Sequence, residues 1–371
     1  MERWSSNLGF ILAAIGSAVG IGNIWRFSSV VGQNGGGAYL VPYFLAVLCF
    51  AVPLMILEMA VGRHLRSSVV SSFALAGEKL KIFGWLICLI VLLILSYYMV
   101  IMGWTLAYLT FSLLGRDIAF SAFTSSMQPV AYFLISALAR SGVWSAAFGQ
   151  AFFSLSVGMG ILITYGAYMP EETDITKSAF IITISDITAA LLAGTAIFSL
   201  VFTFGLQPTA GAELAFTTLP KAFELMPYGS FFSIAFFALL FSAALTSAIS
   251  MMEVNVASIM GETGMTRRKA SLILTIILII TGLAPALSYS QVDLRFQGQQ
   301  ILDLMDETVG TMGLPIAAFL VALIFKWFMK SDVQKGMTGT TEVCLCTLNF
   351  LTKYAIPAVL LIITISTLID L

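Results

Sequence analysis

Two long apolar segments of this chain are interrupted near their middles by glycine and small polar residues. The first interruption reads Gly16-Ser17-Ala18-Val19-Gly20-Ile21-Gly22-Asn23, followed by Ile24-Trp25-Arg26-Phe27. The second reads Phe153-Ser154-Leu155-Ser156-Val157-Gly158-Met159-Gly160. A membrane-spanning helix satisfies its own backbone, so a break at mid-membrane depth frees amides and carbonyls that lipid cannot pair. Such breaks persist only where the freed groups face protein, water or a bound ligand. Two of them in one chain point to a carrier of small solutes that binds its cargo and ions at the breaks.

Composition fixes the environment. Of 371 residues, 59% are hydrophobic and 10% charged, with a mean hydropathy of +0.98, which excludes a soluble globular protein. Apolar stretches long enough to cross a bilayer lie near 8–30, 38–61, 83–114, 146–168, 179–205, 231–259, 271–289, 307–329 and 348–369. The expected fold is therefore an all-α, polytopic membrane protein, one transmembrane domain over 1–371 with about nine crossings. The first stretch holds Asn23, Trp25 and Arg26 and has no small-residue cleavage site, so it reads as retained helix rather than signal peptide.

Basic residues set the orientation. With the amino terminus cytoplasmic, one side receives Arg3, Arg63, Arg66, Lys79, Lys81, Lys177, Arg267, Arg268, Lys269, Lys326, Lys330, Lys335 and Lys353. The other receives only Arg116, Arg140, Lys221 and Arg295, with Arg26 inside a span. This bias places the chain in the cell (inner) membrane with its carboxyl terminus outside. Residues 115–142 are apolar in part but hold Gln128, Pro129 and several hydroxyls between Asp117 and Arg140. A further span there would carry Arg267-Arg268-Lys269 to the outside, so the segment reads as outer and surface-lying. Cys49, Cys88, Cys344 and Cys346 show no metal or disulfide spacing and read as structural thiols. Nothing resembles a Ser/His/Asp triad, a phosphate loop or a metal cluster, so an enzyme is not expected.

Charges within spans each need an account. Arg26 at the outer end of the first broken helix and Asp306 at the outer start of the eighth span suit an ion pair closing an entrance, or a static tie between helices. Glu58 lies deep in Pro53-Leu54-Met55-Ile56-Leu57-Glu58-Met59 and suits unwound amides nearby. Asp186 opens the fifth apolar segment, where a bound sodium would keep it ionised; Glu253 reads as structural. Thr246 and Ser247 are adjacent hydroxyls in an apolar helix, where hydroxyls usually bond back to their own carbonyls. Tyr97-Tyr98 reads as interfacial packing, His64 as a solvated residue, and Gly16-x-x-x-Gly20 alone as a helix-packing face.

Longer stretches carry a resemblance. Gly16 to Phe27, then Asn34-Gly35-Gly36-Gly37-Ala38-Tyr39-Leu40-Val41-Pro42-Tyr43, are similar to the first two helices of the neurotransmitter:sodium symporters, whose bacterial and archaeal members carry amino acids on a leucine-transporter-like fold. Gly149 to Gly160 resembles their sixth helix, Thr218 to Phe223 their fourth outer loop, and Ala243 to Ser247 their eighth helix. The resemblance implies one sodium held by the Ala18 carbonyl, Asn23, Ser154, Asp186 and the substrate carboxylate. It implies a second held by the carbonyls of Gly16, Val19 and Ala243 with the hydroxyls of Thr246 and Ser247. The substrate carboxylate would meet the Gly22 amide and Tyr98, and its ammonium the carbonyls of Ala18, Phe153 and Ser154 beside Ser156. Ile94, Tyr98, Phe153, Met159, Ser247 and Met251 would line the side-chain pocket.

Monoamine carriers of this family have an aspartate where this chain has Gly20, so the cargo must bring its own carboxylate. An apolar, uncharged pocket favours a neutral, hydrophobic side chain. Asp186 stands where chloride-dependent relatives have asparagine, and Ala190 where they have serine, so chloride is not expected. The family's inner gate is altered: its arginine position is Met1, its aspartate position Gly261, with Arg3 and Glu262 nearby. Between Leu113 and Gly142 there is no room for the fourth and fifth helices, and the twelfth is absent as well. The expected function is sodium-coupled symport of a neutral amino acid by alternating access. The alternatives are a transport-defective binding or regulatory membrane protein, or an internally deleted remnant. Expected partners are the amino acid, sodium ions and the lipid bilayer, not nucleic acid; a homodimer is one arrangement that would cover the surfaces left by missing helices.

Overall fold

The computed structural model describes residues 4, 6–115, 140–206, 214–329 and 342–369, without the side chains of 342–345 and 366–369. Met1, Arg3, Arg116, Lys330, Lys335 and most of the 115–142 segment lie outside the described residues. In chain order the main helices are α1 (Asn7–Ala18), α2 (Gly22–Gln33), α3 (Gly36–Leu65), α4 (Val69–Ala76) and α5 (Glu78–Leu113). Next come α6 (Ser141–Ser154), α7 (Ile161–Ala167), α8 (Ile175–Thr203), α9 (Leu219–Leu225), α10 (Gly229–Thr263) and α11 (Arg267–Ser288). A short antiparallel pair, Arg295–Phe296 with Gln299–Gln300, precedes α12 (Ile301–Phe328) and α13 (Cys346–Ile365).

Seven of these helices, 20 to 36 residues long, are long and apolar enough to cross a membrane, and α1 with α2 passes the same test as a pair bent by 49°. The protein is thus a polytopic helical membrane protein. Local chemistry marks the helix ends. Ser6, Ser68 and Asp174 cap α1, α4 and α8 by accepting from Gly9, Ser71 and Lys177 amides at 3.1, 3.3 and 2.9 Å, each pairing a donor that the first turn leaves orphaned. Gly264, left-handed at φ 68°, ends α10.

Burial separates inner from outer helices. Of the most apolar stretch of α3, 61% is buried, against 22% for α11, so α3 is a central element and α11 presents most of its surface to lipid. Between α6 and α7 the chain leaves helix from Leu155 to Gly160. The far end of α7 is held by two arginines at the end of α3. Arg63 donates to the Thr173 carbonyl at 2.6 Å, and Arg66 to the carbonyls of Met169 and Ala167 at 2.5 and 3.1 Å. His64 is exposed and belongs to the last turn of α3.

Candidate functional site

The two breaks face each other at the centre of the bundle, and side chains satisfy the backbone that they free. After α1 the chain turns extended at Val19 (ψ 91°). The Gly20 amide then donates to Asn23 Oδ1 at 3.0 Å, and the Ile21 amide to the Tyr98 hydroxyl at 3.3 Å. In the second break Ser156 has φ 56° and Gly158 φ 82°. The freed Gly158 amide donates to Glu58 Oε1 at 2.7 Å. The breaks are stitched together where Ser156 Oγ donates to the Ser17 carbonyl at 3.1 Å, its oxygen lying 3.2 Å from Ser17 Oγ.

A carboxylate stands at the junction. Asp186, midway along α8 and fully buried, accepts from Asn23 Nδ2 at 2.6 Å and from Ser154 Oγ at 2.8 and 2.9 Å. Asn23 Nδ2 also reaches Ser154 Oγ at 3.0 Å. Among the described residues no Lys or Arg pairs with Asp186. Ala18 lines the adjoining cavity together with Asn23 and Ser154. A buried carboxylate beside a serine hydroxyl and an asparagine amide supplies groups of the kind that suit a hard monovalent cation.

The second expected cation group spans α1 and α10. A Cβ on Gly16 would lie 3.4 Å from Thr246 Cβ, so the helices touch there. Thr246 Oγ1 donates to the Ala243 and Ser242 carbonyls at 3.0 and 3.3 Å, and Ser247 Oγ to the Ser17 carbonyl at 3.1 Å with the Gly16 carbonyl at 3.5 Å. Val19, the extended residue that follows α1, lies three positions after Gly16.

Between the breaks lies a cavity of about 20 Å³, room for about one water molecule as the side chains now stand. All the expected substrate residues line it except Ile94: Ala18, Gly22, Tyr98, Phe153, Ser154, Ser156, Met159, Ser247 and Met251. Ile94 is fully buried one helical turn before Tyr98. Ser17, Gly20, Asn23 and Ile161 complete the wall. Among the described residues no charged side chain lines it. Space at Gly20 is tight, because a Cβ there would sit 2.6 Å from Ser247 Oγ and 3.0 Å from the Tyr98 hydroxyl, so those side chains would have to shift.

One end of the cavity is covered by a polar layer. Arg26 Nε lies 3.3 Å from Asp306 Oδ2, and its Cζ 4.7 Å above the Phe153 ring. Arg26 also donates to Gln150 Oε1 at 2.6 Å and Thr311 Oγ1 at 2.8 Å. Gln150 Nε2 returns to the Gly22 carbonyl at 3.1 Å, and the Tyr97 hydroxyl donates to Asp306 Oδ1 at 2.9 Å. Sequence reasoning paired Arg26 with Asp306 but missed Gln150, Thr311 and Tyr97. Tyr97 is buried in this layer rather than packed at a membrane interface. The available signal for Gln150 was its place one helical turn before Ser154.

At the other end the Trp4 amide donates to the Tyr168 carbonyl at 3.0 Å, and the Trp4 ring meets Tyr165 edge-on at 5.5 Å. Glu253 accepts from Tyr168 at 2.7 Å and from Arg267 at 2.5 and 3.0 Å, a tie between helices. Glu262 binds Lys81 and Ser71.

The profile of the sodium:neurotransmitter symporter family matches residues 1–128 and 113–371. An uncharacterised sodium-dependent transporter of Methanocaldococcus jannaschii is 34% identical over 418 aligned positions, covering 89% of this chain and 82% of that protein. The sodium-dependent neutral amino acid transporter B(0)AT2 of Rattus norvegicus is 42% identical over 105 residues, 28% of this chain and 14% of that protein. The crystal structure of MhsT in complex with L-phenylalanine aligns with a TM-score of 0.88 and 31% identity, covering 99% of each chain. The two profile matches overlap at 113–128, and 418 aligned positions exceed the chain's 371 residues. The relatives therefore carry internal sequence that this chain lacks.

Proposed function

The chain belongs to the sodium:neurotransmitter symporter family, and from that membership we propose that it carries a neutral, hydrophobic amino acid across the membrane together with sodium. The observation that carries the reading is the Asp186 cluster. A fully buried carboxylate, bonded only to neutral donors from both breaks, is best neutralised by a cation bound between them. In this reading Ala18, Asn23, Ser154 and Asp186 hold sodium, and the substrate carboxylate completes the shell. Gly16, Val19, Ala243, Thr246 and Ser247 hold a second sodium. The substrate's charged ends meet the Gly22 amide, Tyr98 and the carbonyls of Ala18, Phe153 and Ser154, beside Ser156. Its side chain enters the wall of Ile94, Phe153, Met159, Ser247 and Met251, where apolar burial favours a neutral cargo.

The neighbours' names support the substrate class: one relative is called a neutral amino acid transporter, and MhsT was solved with L-phenylalanine. Gly20 supports a cargo that brings its own carboxylate. Asp186 is a fixed negative charge beside sodium, so transport proceeds without chloride. The chain crosses the cell membrane nine times with its amino terminus in the cytoplasm. Arg26, Asp306 and Phe153 then close the outer side during alternating access, and a second copy of the chain covers surfaces left by the shortening.

Purified protein in liposomes with an inward sodium gradient tests the reading. Accumulation of a hydrophobic amino acid that stops when the gradient is collapsed is expected. Sodium-dependent binding without uptake would overturn transport while keeping the site.

A further inference from the structure

Where the end of α12 meets α13, far from the cavity in sequence, stands a group of side chains that the proposed transport does not use. Both helices widen to π-turns there, over Ile324–Phe328 and Leu351–Ala355. The Trp327 indole Nε1 donates to the Lys353 carbonyl at 2.9 Å. Its ring meets Tyr354 edge-on at 5.7 Å, and Tyr354 lies 6.0 Å from Phe350. All three rings are exposed. Exposed tryptophan and tyrosine at the end of a membrane helix belong where hydrocarbon gives way to lipid headgroups.

Two of the rings frame an ammonium. Lys353 Nζ stands 5.4 Å from the centroids of both Trp327 and Tyr354, where cation–π attraction positions it. Its N–H groups meet no oxygen acceptor among the described residues, and no carboxylate among them lies in ion-pair reach. Lys326 Nζ donates to Asn349 Oδ1 at 2.7 Å, which ties a second positive charge one helical turn from Lys353. From Lys353 onward, Tyr354, Ala358, Leu361 and Ile365 are exposed at helical spacing, a continuous apolar stripe along α13. At about 1.5 Å per residue the stripe runs about 16 Å, close to half of the roughly 30 Å hydrocarbon thickness. That is the depth of one acyl chain.

We propose that this corner binds an anionic phospholipid, whose phosphate accepts from Lys353 while an acyl chain lies along the α13 stripe. Lys326 adds to the attraction without leaving Asn349. The stripe distinguishes a lipid from a free phosphate, which would gain nothing from it. Charge distinguishes an anionic from a zwitterionic lipid, because a choline headgroup brings a cation of its own toward two lysines.

Tryptophan fluorescence of the full chain, reconstituted in phosphatidylcholine bilayers, tests this. Brominated acyl chains quench an indole that they touch, and subtracting the signal of Trp327→Phe isolates the part due to Trp327. Dibrominated phosphatidylglycerol should reach Trp327 with about five times the relative affinity of dibrominated phosphatidylcholine. Lys353→Gln should bring that ratio close to one, and Lys353→Arg should keep it. Should Lys353→Gln fail to reconstitute, the unaltered chain carries the test in about 1 M salt, where a screening length of about 3 Å should remove most of the preference. Equal quenching by the two lipids, or a preference that survives Lys353→Gln or high salt, would overturn the proposal. So would the absence of quenching by either lipid, which would mean that protein covers the face. Loss of the preference to millimolar inorganic phosphate at constant ionic strength would assign the corner to a free anion and overturn the lipid.

Discussion

Gly20 lies where two hydroxyls converge, and its missing side chain is part of the pocket. A methyl group there would press on Ser247 Oγ and the Tyr98 hydroxyl. Overpacking of this kind costs about 1–3 kcal/mol, so Gly20→Ala should weaken amino-acid binding roughly ten- to a hundredfold at saturating sodium. Isothermal titration of the variant checks this, and unchanged affinity would show that the cargo does not approach Gly20. Asp186 gives a prediction about ions. Uptake by the unaltered chain should be the same in chloride and gluconate, while Asp186→Asn should lose activity in gluconate and regain part of it in chloride. Uptake by the unaltered chain that collapses in gluconate would contradict the role assigned to this carboxylate. Much of this site was legible in the sequence, because Asn23, Ser154 and Asp186 are polar residues where lipid permits few. Gln150, Thr311 and Tyr97 were not. They act on Arg26 through contacts spanning up to 285 positions of sequence, and adjacency along the chain carries no trace of such a meeting.

The breaks are held as elements by groups outside them. Gly158 is left-handed, and a Cβ on it would sit 2.9 Å from the Leu314 carbonyl oxygen. Gly158→Ala should therefore destabilise the folded protein by about 1–3 kcal/mol, read as a lower unfolding midpoint in detergent. Glu58 offers the complementary test. Glu58→Gln keeps an oxygen for the Gly158 amide and should fold normally, whereas Glu58→Ala leaves that buried donor unpaired at a cost of about 1–3 kcal/mol. Equal stability of the two would mean that Glu58 does not hold the second break. Apolar length announced the long helices, and glycine with serine announced both breaks. The way each break resolves was hidden: bonds from Gly158 to Glu58 and from Ile21 to Tyr98 join positions 100 and 77 apart.

At the scale of the whole molecule the central fact is a membrane bundle shorter than its relatives inside the chain. The profile matches meet at 113–128, where the sequence leaves no room for two crossings. Removing a pair of crossings preserves the orientation of every later helix, so the basic residues keep their bias. This yields a topology test with single cysteines on a background lacking Cys49, Cys88, Cys344 and Cys346. Lys269→Cys should react with an impermeant thiol reagent only from the cytoplasmic side, and Arg295→Cys only from outside. Labelling of both from one side would refute the nine-crossing arrangement. Sodium-driven amino-acid accumulation in proteoliposomes tests the account most directly. Uptake of a neutral, hydrophobic amino acid above equilibrium under a sodium gradient in gluconate, lost there in Asp186→Asn, is the predicted result. Accumulation independent of the sodium gradient, or no transport by a folded chain that still binds sodium, would contradict it.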